Sequence, residues 1–221
     1  MRCWLNSTEG AGNVTWLDGC PPTANMVRSG FNAYASEKGF LEENNFTANE
    51  RNAIKSVTQR SLLNGVDVKK MCKGGNDIHT FDSSLYHKTL EQNYNTAFYH
   101  NVKDKMFLLD IKQLVNMYQN SEIIGYYYYM CEPTKKAVAN SEYKNSELSA
   151  TERWNYWLRS PSTNYYLPTL VRDVTFDGYV LNDSANSGSL GVRPAFYINL
   201  SSAIFTDGNG TEKKIIRATV Q

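Results

Sequence analysis

Trp154-Asn155-Tyr156-Trp157-Leu158-Arg159-Ser160-Pro161 is the stretch on which the fold turns, together with Gly191-Val192-Arg193-Pro194-Ala195-Phe196 further along. Trp157, Leu158, Val192 and Phe196 are the side chains expected to be buried. Pro161 and Pro194 fit sheet-edge or bend positions, because proline has no N–H to give a central ladder. Arg159 and Arg193 are suited to holding the two runs together, by donating to backbone carbonyls or to an acid such as Asp173 or Asp177. Their expected role is structural.

Around these runs the composition changes sharply, with no Lys and no Glu between Arg153 and Thr211. Ser, Asn, Asp, Tyr and Gly dominate, and Val171, Val174, Val180, Val192, Phe196 and Ile198 mark short apolar segments. Strands joined by polar turns are expected, with Asp177-Gly178 a hairpin turn and Ser187-Gly188 a second turn. Upstream, Thr47-Ala48-Asn49-Glu50 is a capping box that predicts a helix from about 48 to 63 through Ile54, Val57 and Leu62. Met26, Phe31 and Tyr34 suit another helix that Gly39 would end. Met106-Phe107-Leu108-Leu109 reads as a buried strand, after which Asp110 caps a helix carrying Leu114, Val115 and Tyr118. The tyrosine run Tyr126 to Tyr129 fits a strand better than an aromatic ligand surface. A further capping-box pattern, Ser149-Ala150-Thr151-Glu152, closes this part. The expected class is α+β, with early helices packed on a curled, mostly antiparallel sheet with long loops. The chain is read as one domain over 1–221, helical or mixed to about 150 and strand-loop from about 151 to 205.

The chain has 221 residues, with 23 basic against 22 acidic, a formal net charge of +1, and 41% hydrophobic content. Balanced charge builds no single-sign field for nucleic acid or an anionic membrane. Apolar runs such as Ile123 to Met130 fall far short of the roughly 18 residues that span a bilayer, so a soluble chain is expected. The start lacks a basic region followed by an apolar one, which points to a removed leader or a module of a longer chain. Cys3, Cys20, Cys72 and Cys131 are too widely spaced for a zinc knuckle; a Cys3–Cys20 disulfide and buried thiols stand as equal readings. The sequons at Asn6, Asn13, Asn45, Asn182, Asn199 and Asn209 are of a kind that an Asn- and Ser-rich chain generates by chance.

No nucleophile elbow, phosphate loop, dinucleotide fingerprint or H-E-x-x-H occurs in the chain. His79, His87 and His100 match no helical ligand pair and are expected to be structural or surface residues. Asp207-Gly208-Asn209-Gly210-Thr211-Glu212 offers oxygen ligands without the full calcium-loop spacing, so an ordinary turn is expected and no cofactor is assigned. No pair of carboxylates stands out for glycoside hydrolysis.

In the order W-L-R-S-P then G-V-R-P-A, the two late motifs resemble those of a bacterial family of domains of unassigned function that is similar to the C-type lectin-like fold. The group includes variable proteins diversified by retroelements and is distantly similar to formylglycine-generating enzymes. Arg2-Cys3-Trp4-Leu5-Asn6, Gly39-Phe40-Leu41, Phe46 to Arg51 and Lys105 to Leu109 also resemble the family's earlier elements, so the likeness covers nearly the whole chain. The resemblance implies a C-type lectin-like domain in which the two motifs are core strands and the segment between them forms an exposed face. Formylglycine chemistry uses cysteine in the carboxy-terminal part of the domain, whereas the last cysteine here is Cys131; that activity is expected to be absent.

The intervening segment, Ser162 to Leu190, has the Tyr/Ser/Asn/Gly palette of antibody paratopes, in which Tyr gives rigid contact area and Ser or Asn adaptable hydrogen bonds. Tyr165, Tyr166, Asp173, Phe176, Tyr179, Asn182, Asp183 and Asn186 are the candidate ligand-binding residues. Leu167, Pro168, Leu170 and Val171 depart from the Asn-rich templates of the diversified members. The expected function is non-enzymatic recognition of a protein or glycan at a bacterial surface or on a secreted particle. The alternatives are a structural or assembly module contacting other domains of a larger protein, and a carbohydrate-active enzyme.

Overall fold

The computed structural model describes residues 1–14, 37–62, 99–119, 130–141, 151–161, 170–185, 187, 189–199, 203–207 and 217–220. In chain order the elements are α1 (Arg2–Asn6), α2 (Ala48–Ala53), β1 (Ile54–Lys55), β2 (Val57–Leu62), β3 (Tyr99–Asp104), β4 (Met106–Phe107), α3 (Ile111–Gln119) and α4 (Lys135–Asn140). They continue with β5 (Tyr156–Pro161), β6 (Leu170–Val174), β7 (Val180–Ser184), β8 (Ala195–Ile198), β9 (Ala203–Asp207) and β10 (Arg217–Val220). The class is mixed α+β. Strand pairing is antiparallel throughout these ladders, in the orders β1-β8-β4, β10-β9, β2-β3 and β5-β6-β7.

The W-L-R-S-P run is β5, at one edge of the β5-β6-β7 ladder, and its alternating side chains enter different cores. Tyr156 and Leu158 join Val174, Val180 and the α3 residues Ile111 and Leu114. Trp157 joins Leu5, Leu41, Ile54, Met106 and Leu108. A strand covered on both faces is apolar at successive positions, which is what Tyr156-Trp157-Leu158 displays. The G-V-R-P-A run docks on the open edge of β5 through Gly191. Trp157 N–H donates to Gly191 O (3.0 Å), and Gly191 N–H donates to Asn155 O (2.8 Å), an isolated parallel bridge. Arg193 lies 5.2 Å from the centre of the Tyr156 ring and donates to its hydroxyl at 3.1 Å, so this arginine does join the two motifs. Arg159 takes partners other than Asp173 or Asp177: it pairs with Asp110, donates to Gln59 Oε1 and stacks over Phe107. Pro161 sits where the β5–β6 register shifts, and Pro194 lies in the irregular residues before β8, both away from central ladder positions.

Local signals read correctly where neighbours in sequence decide the outcome. Asp110 Oδ1 accepts the Gln113 N–H (2.7 Å) and Gln113 Oε1 accepts the Asp110 N–H (3.1 Å), a reciprocal cap for α3. Ser160 Oγ satisfies a further orphan donor there, the Ile111 N–H at 3.1 Å. Thr47 and Glu50 form the expected capping box of α2. Hydrogen bonds from the Thr47 backbone and hydroxyl hold the Glu50 carboxyl below the usual carboxylate range.

Several expectations are corrected. The helix begun at Ala48 ends at Ala53 instead of near 63, because Ile54 turns extended (φ −75°, ψ 118°) and pairs with Ile198. β-Branched Ile54, Val57 and Thr58 then follow strand pairings with distant segments, which override the local helix pattern. The early part therefore interleaves short helices with strands, and the sheet structure is divided among small ladders. The strand at Met106 stops at Phe107, and of the Ser149-to-Glu152 pattern only Thr151 and Glu152 are described, in a turn and a bend. Val192 (36% exposed) and Phe196 (41% exposed) are not buried. The flanking strands of β8 are two residues each; they bond its backbone without roofing its side chains. Cys3 and Cys131 are free thiols. The Met26–Tyr34 helix, the tyrosine run 126–129, Val115 and Tyr118 side chains, Cys20, Cys72, His79 and His87 lie outside what is described.

Gly39 serves close approach to Ser7. A Cβ there would stand 2.2 Å from Ser7 O, whereas one at Gly10 meets nothing nearer than Asn13 Nδ2 at 3.9 Å. Gly39→Ala is expected to destabilise the fold by about 1–3 kcal/mol, as overpacking does. Urea melts of Gly39→Ala beside Gly10→Ala check this, and equal midpoints would contradict it.

Candidate functional site

The β6–β7 hairpin turns through Thr175-Phe176-Asp177-Gly178-Tyr179. Thr175 N–H donates to Tyr179 O (2.7 Å), and Gly178, at φ +89°, donates its N–H to Thr175 O (2.9 Å). This is a type I turn followed by a left-handed residue, where glycine avoids the Cβ penalty. The expected hairpin at Asp177-Gly178 is therefore present. Side chains lock it further: the Thr175 hydroxyl donates to Asp177 Oδ1 and accepts the Tyr179 N–H at 2.9 Å. Phe176 N–H donates to Asn155 Oδ1 at 2.8 Å, fastening the tip to the residue before β5. Held this way, Phe176 presents its ring to solvent at 59% exposure. Ser187 N–H donates to Ser184 O at 2.8 Å; of the turn expected at Ser187-Gly188, Gly188 lies outside the described residues.

Beside this tip lies an open cleft of about 540 Å³, lined by Met130, Glu132, Thr151, Glu152, Arg153, Phe176, Asp177 and Tyr179. Its walls come from the segment before α4, the turn before β5 and the hairpin. The first two are joined by the Trp154 N–H to Cys131 O hydrogen bond (3.0 Å). These residues include three carboxylates, of Glu132, Glu152 and Asp177, and one guanidinium, of Arg153. A separate cavity of about 350 Å³ between α1, β4, β5 and β6 is mainly apolar, with Leu5, Met106, Trp157 and Val171 in its wall. The Arg2–Asp104 ion pair (2.9 Å) borders it.

Of the residues expected to bind ligand, Phe176 and Tyr179 meet at the cleft. Asn182 and Asp183 lie half-buried on β7, paired with Arg172 and Val171, and do not line it. Tyr165, Tyr166 and Asn186 are outside the described residues. Asp173 is turned inward at 3% exposure, and its Oδ1 is buried with no hydrogen-bond partner. It is a diagonal neighbour of Asp183 on one face of the ladder. Burial first, then the Asp183 charge, pushes the Asp173 carboxyl up to about 7. Glu132, Glu152 and Arg153 were not among the residues expected to bind ligand, because the cleft assembles segments far apart in the chain. Among the described residues no group of three or more His, Cys, Asp or Glu is arranged to hold a metal ion. Of the Asp207–Glu212 segment, only Asp207 is described.

The model of a family described as a domain of unknown function (DUF6273) matches residues 1–200, so the chain belongs to that family. No curated protein and no solved structure matches it. Among the described residues no helix is long and apolar enough to cross a membrane.

The raised Asp173 value carries a definite sign. With its carboxyl ordinarily at 3.8 and here near 7, the folded state binds the proton more tightly than the unfolded chain. Its contribution to stability is therefore greatest in acid and falls as pH rises through that window. Asp173→Asn is expected to stabilise the protein at pH 8 by about 1–3 kcal/mol, the cost of a buried unsatisfied group, with the gain fading towards pH 4. Denaturant titrations across that range check it; a gain independent of pH, or none at pH 8, would contradict it.

Proposed function

We propose that this DUF6273 domain is a non-enzymatic recognition module of C-type lectin-like type, which binds a protein or glycan through the face formed by the β6–β7 hairpin and its cleft. The observation that carries the reading is Phe176, an exposed aromatic on a tip whose backbone is fixed by Thr175, Asp177 and Asn155. A rigid aromatic gives contact area at little entropic cost, which is how paratopes and interface hot spots gain affinity. The lectin-like assignment draws on the ordered W-L-R-S-P and G-V-R-P-A motifs and on helices flanking an antiparallel ladder whose loops carry the face. Display on a bacterial surface or secreted particle follows from the same resemblance. Fixed specificity suits the apolar Leu167, Pro168, Leu170 and Val171 better than retroelement diversification does.

A second reading, an assembly module contacting another domain, is favoured by the exposed apolar residues of β8. Phe196, Tyr197 and Ile198 stand open there, with Val192 nearby. The recognition reading is tested with glycan and peptide arrays probed by the wild-type chain and by a Phe176→Ala/Tyr179→Ala variant of matched stability. Array ligands are expected to lose more than about 1 kcal/mol of affinity for each anchor removed. Ligands retained undiminished by the variant would overturn the site, and would turn attention to β8.

A further inference from the structure

We propose that the cleft beside the β6–β7 hairpin takes a lysine- or arginine-bearing segment of a partner protein, an inference that rests on the recognition reading above and names its ligand class. Charge complementarity is the first argument. Among the described residues that line the cleft, Glu132, Glu152 and Asp177 outnumber Arg153, in a chain whose overall charge is +1. The local field thus opposes the sign of the whole molecule and attracts a cation. Lys135 and Lys136 lie on neighbouring α4, but neither lines the cleft.

The aromatic wall is the second argument, and it is independent of the charges. Phe176 and Tyr179 flank the same space, and an exposed ring face attracts an ammonium or guanidinium through its quadrupole. Carboxylates around a ring suit the head of a basic side chain, while Met130 and the rings receive its methylene stem. The carboxylates come from different segments of the chain and make no metal-binding cluster among the described residues. At about 540 Å³ the cleft lies within the range of small-ligand sites and holds one such side chain with adjoining backbone.

The test uses the full chain, labelled with ¹⁵N, titrated by NMR with hexalysine, hexaglutamate and cellohexaose. Hexalysine is expected to move the amides of Phe176, Gly178 and Tyr179, and its binding should fall as salt rises from about 0.1 to about 1 M and the screening length shortens. Glu132→Gln and Glu152→Gln should each weaken it by about fivefold, the upper range of an exposed ion pair. A response to cellohexaose but not to hexalysine at these amides overturns the basic-segment proposal while leaving the recognition reading standing. Silence from all the probes at millimolar concentration also overturns it, and the array experiment then judges the recognition reading separately. Hexalysine binding unchanged in both Gln variants overturns it as well.

Discussion

The two-sided burial of β5 is the constraint on which the other features hang. Leu158 and Trp157, neighbours in sequence, are buried in different cores, so neither face of this strand is available to solvent. Its backbone is committed as well: Trp157 N–H goes to Gly191 O, and Arg159 N–H goes to Leu109 O at 3.0 Å. The first bond recruits the G-V-R-P-A run, and the second recruits the residues that enter α3. Ser160 then completes the α3 start by accepting the Ile111 N–H, so one strand fixes the start of a helix and the approach of a distant motif. Shortening Leu158 in such a position leaves a cavity with no exposed side to collapse from, which is why its removal is costly in general.

The proposed ligand face inherits its rigidity from that strand. Asn155, immediately before β5, accepts the Phe176 N–H and donates no register freedom to the hairpin tip, while its carbonyl accepts from Gly191. Trp154 fastens the other wall through Cys131, itself packed on the core beneath α3. Aromatic contact area is thus carried by backbone that is already ordered, which lowers the entropic cost of engaging a partner. The cost of the same architecture shows at Asp173, whose carboxyl is enclosed beside Asp183 without a compensating donor at Oδ1.

What could be read from the sequence was what near neighbours decide. The Asp110 cap, the Thr47–Glu50 box and the Asp177-Gly178 hairpin each need residues within a few positions, and each is present. The helix drawn through Ile54 and Val57 failed because pairing with Ile198 and with β3 competes for the same residues. Asp173 illustrates a subtler failure. Polar residues alternating with apolar ones in a strand ordinarily mark a solvent face, but a ladder with a core on each side removes that meaning. Phe176 and Tyr179 were legible as residues of a hairpin turn, and both line the cleft beside it. The acids opposite them were not, since only the folded chain brings Glu132 and Glu152 to Asp177.

Amide hydrogen exchange followed residue by residue tests the central claim, that the hairpin tip is ordered as part of the β5 framework. The account predicts that Phe176, Gly178 and Tyr179 amides exchange slowly, with protection approaching that of Trp157 and Arg159, because each has the partner described above. Exchange at the tip as fast as in an unstructured peptide, with β5 protected, would contradict it.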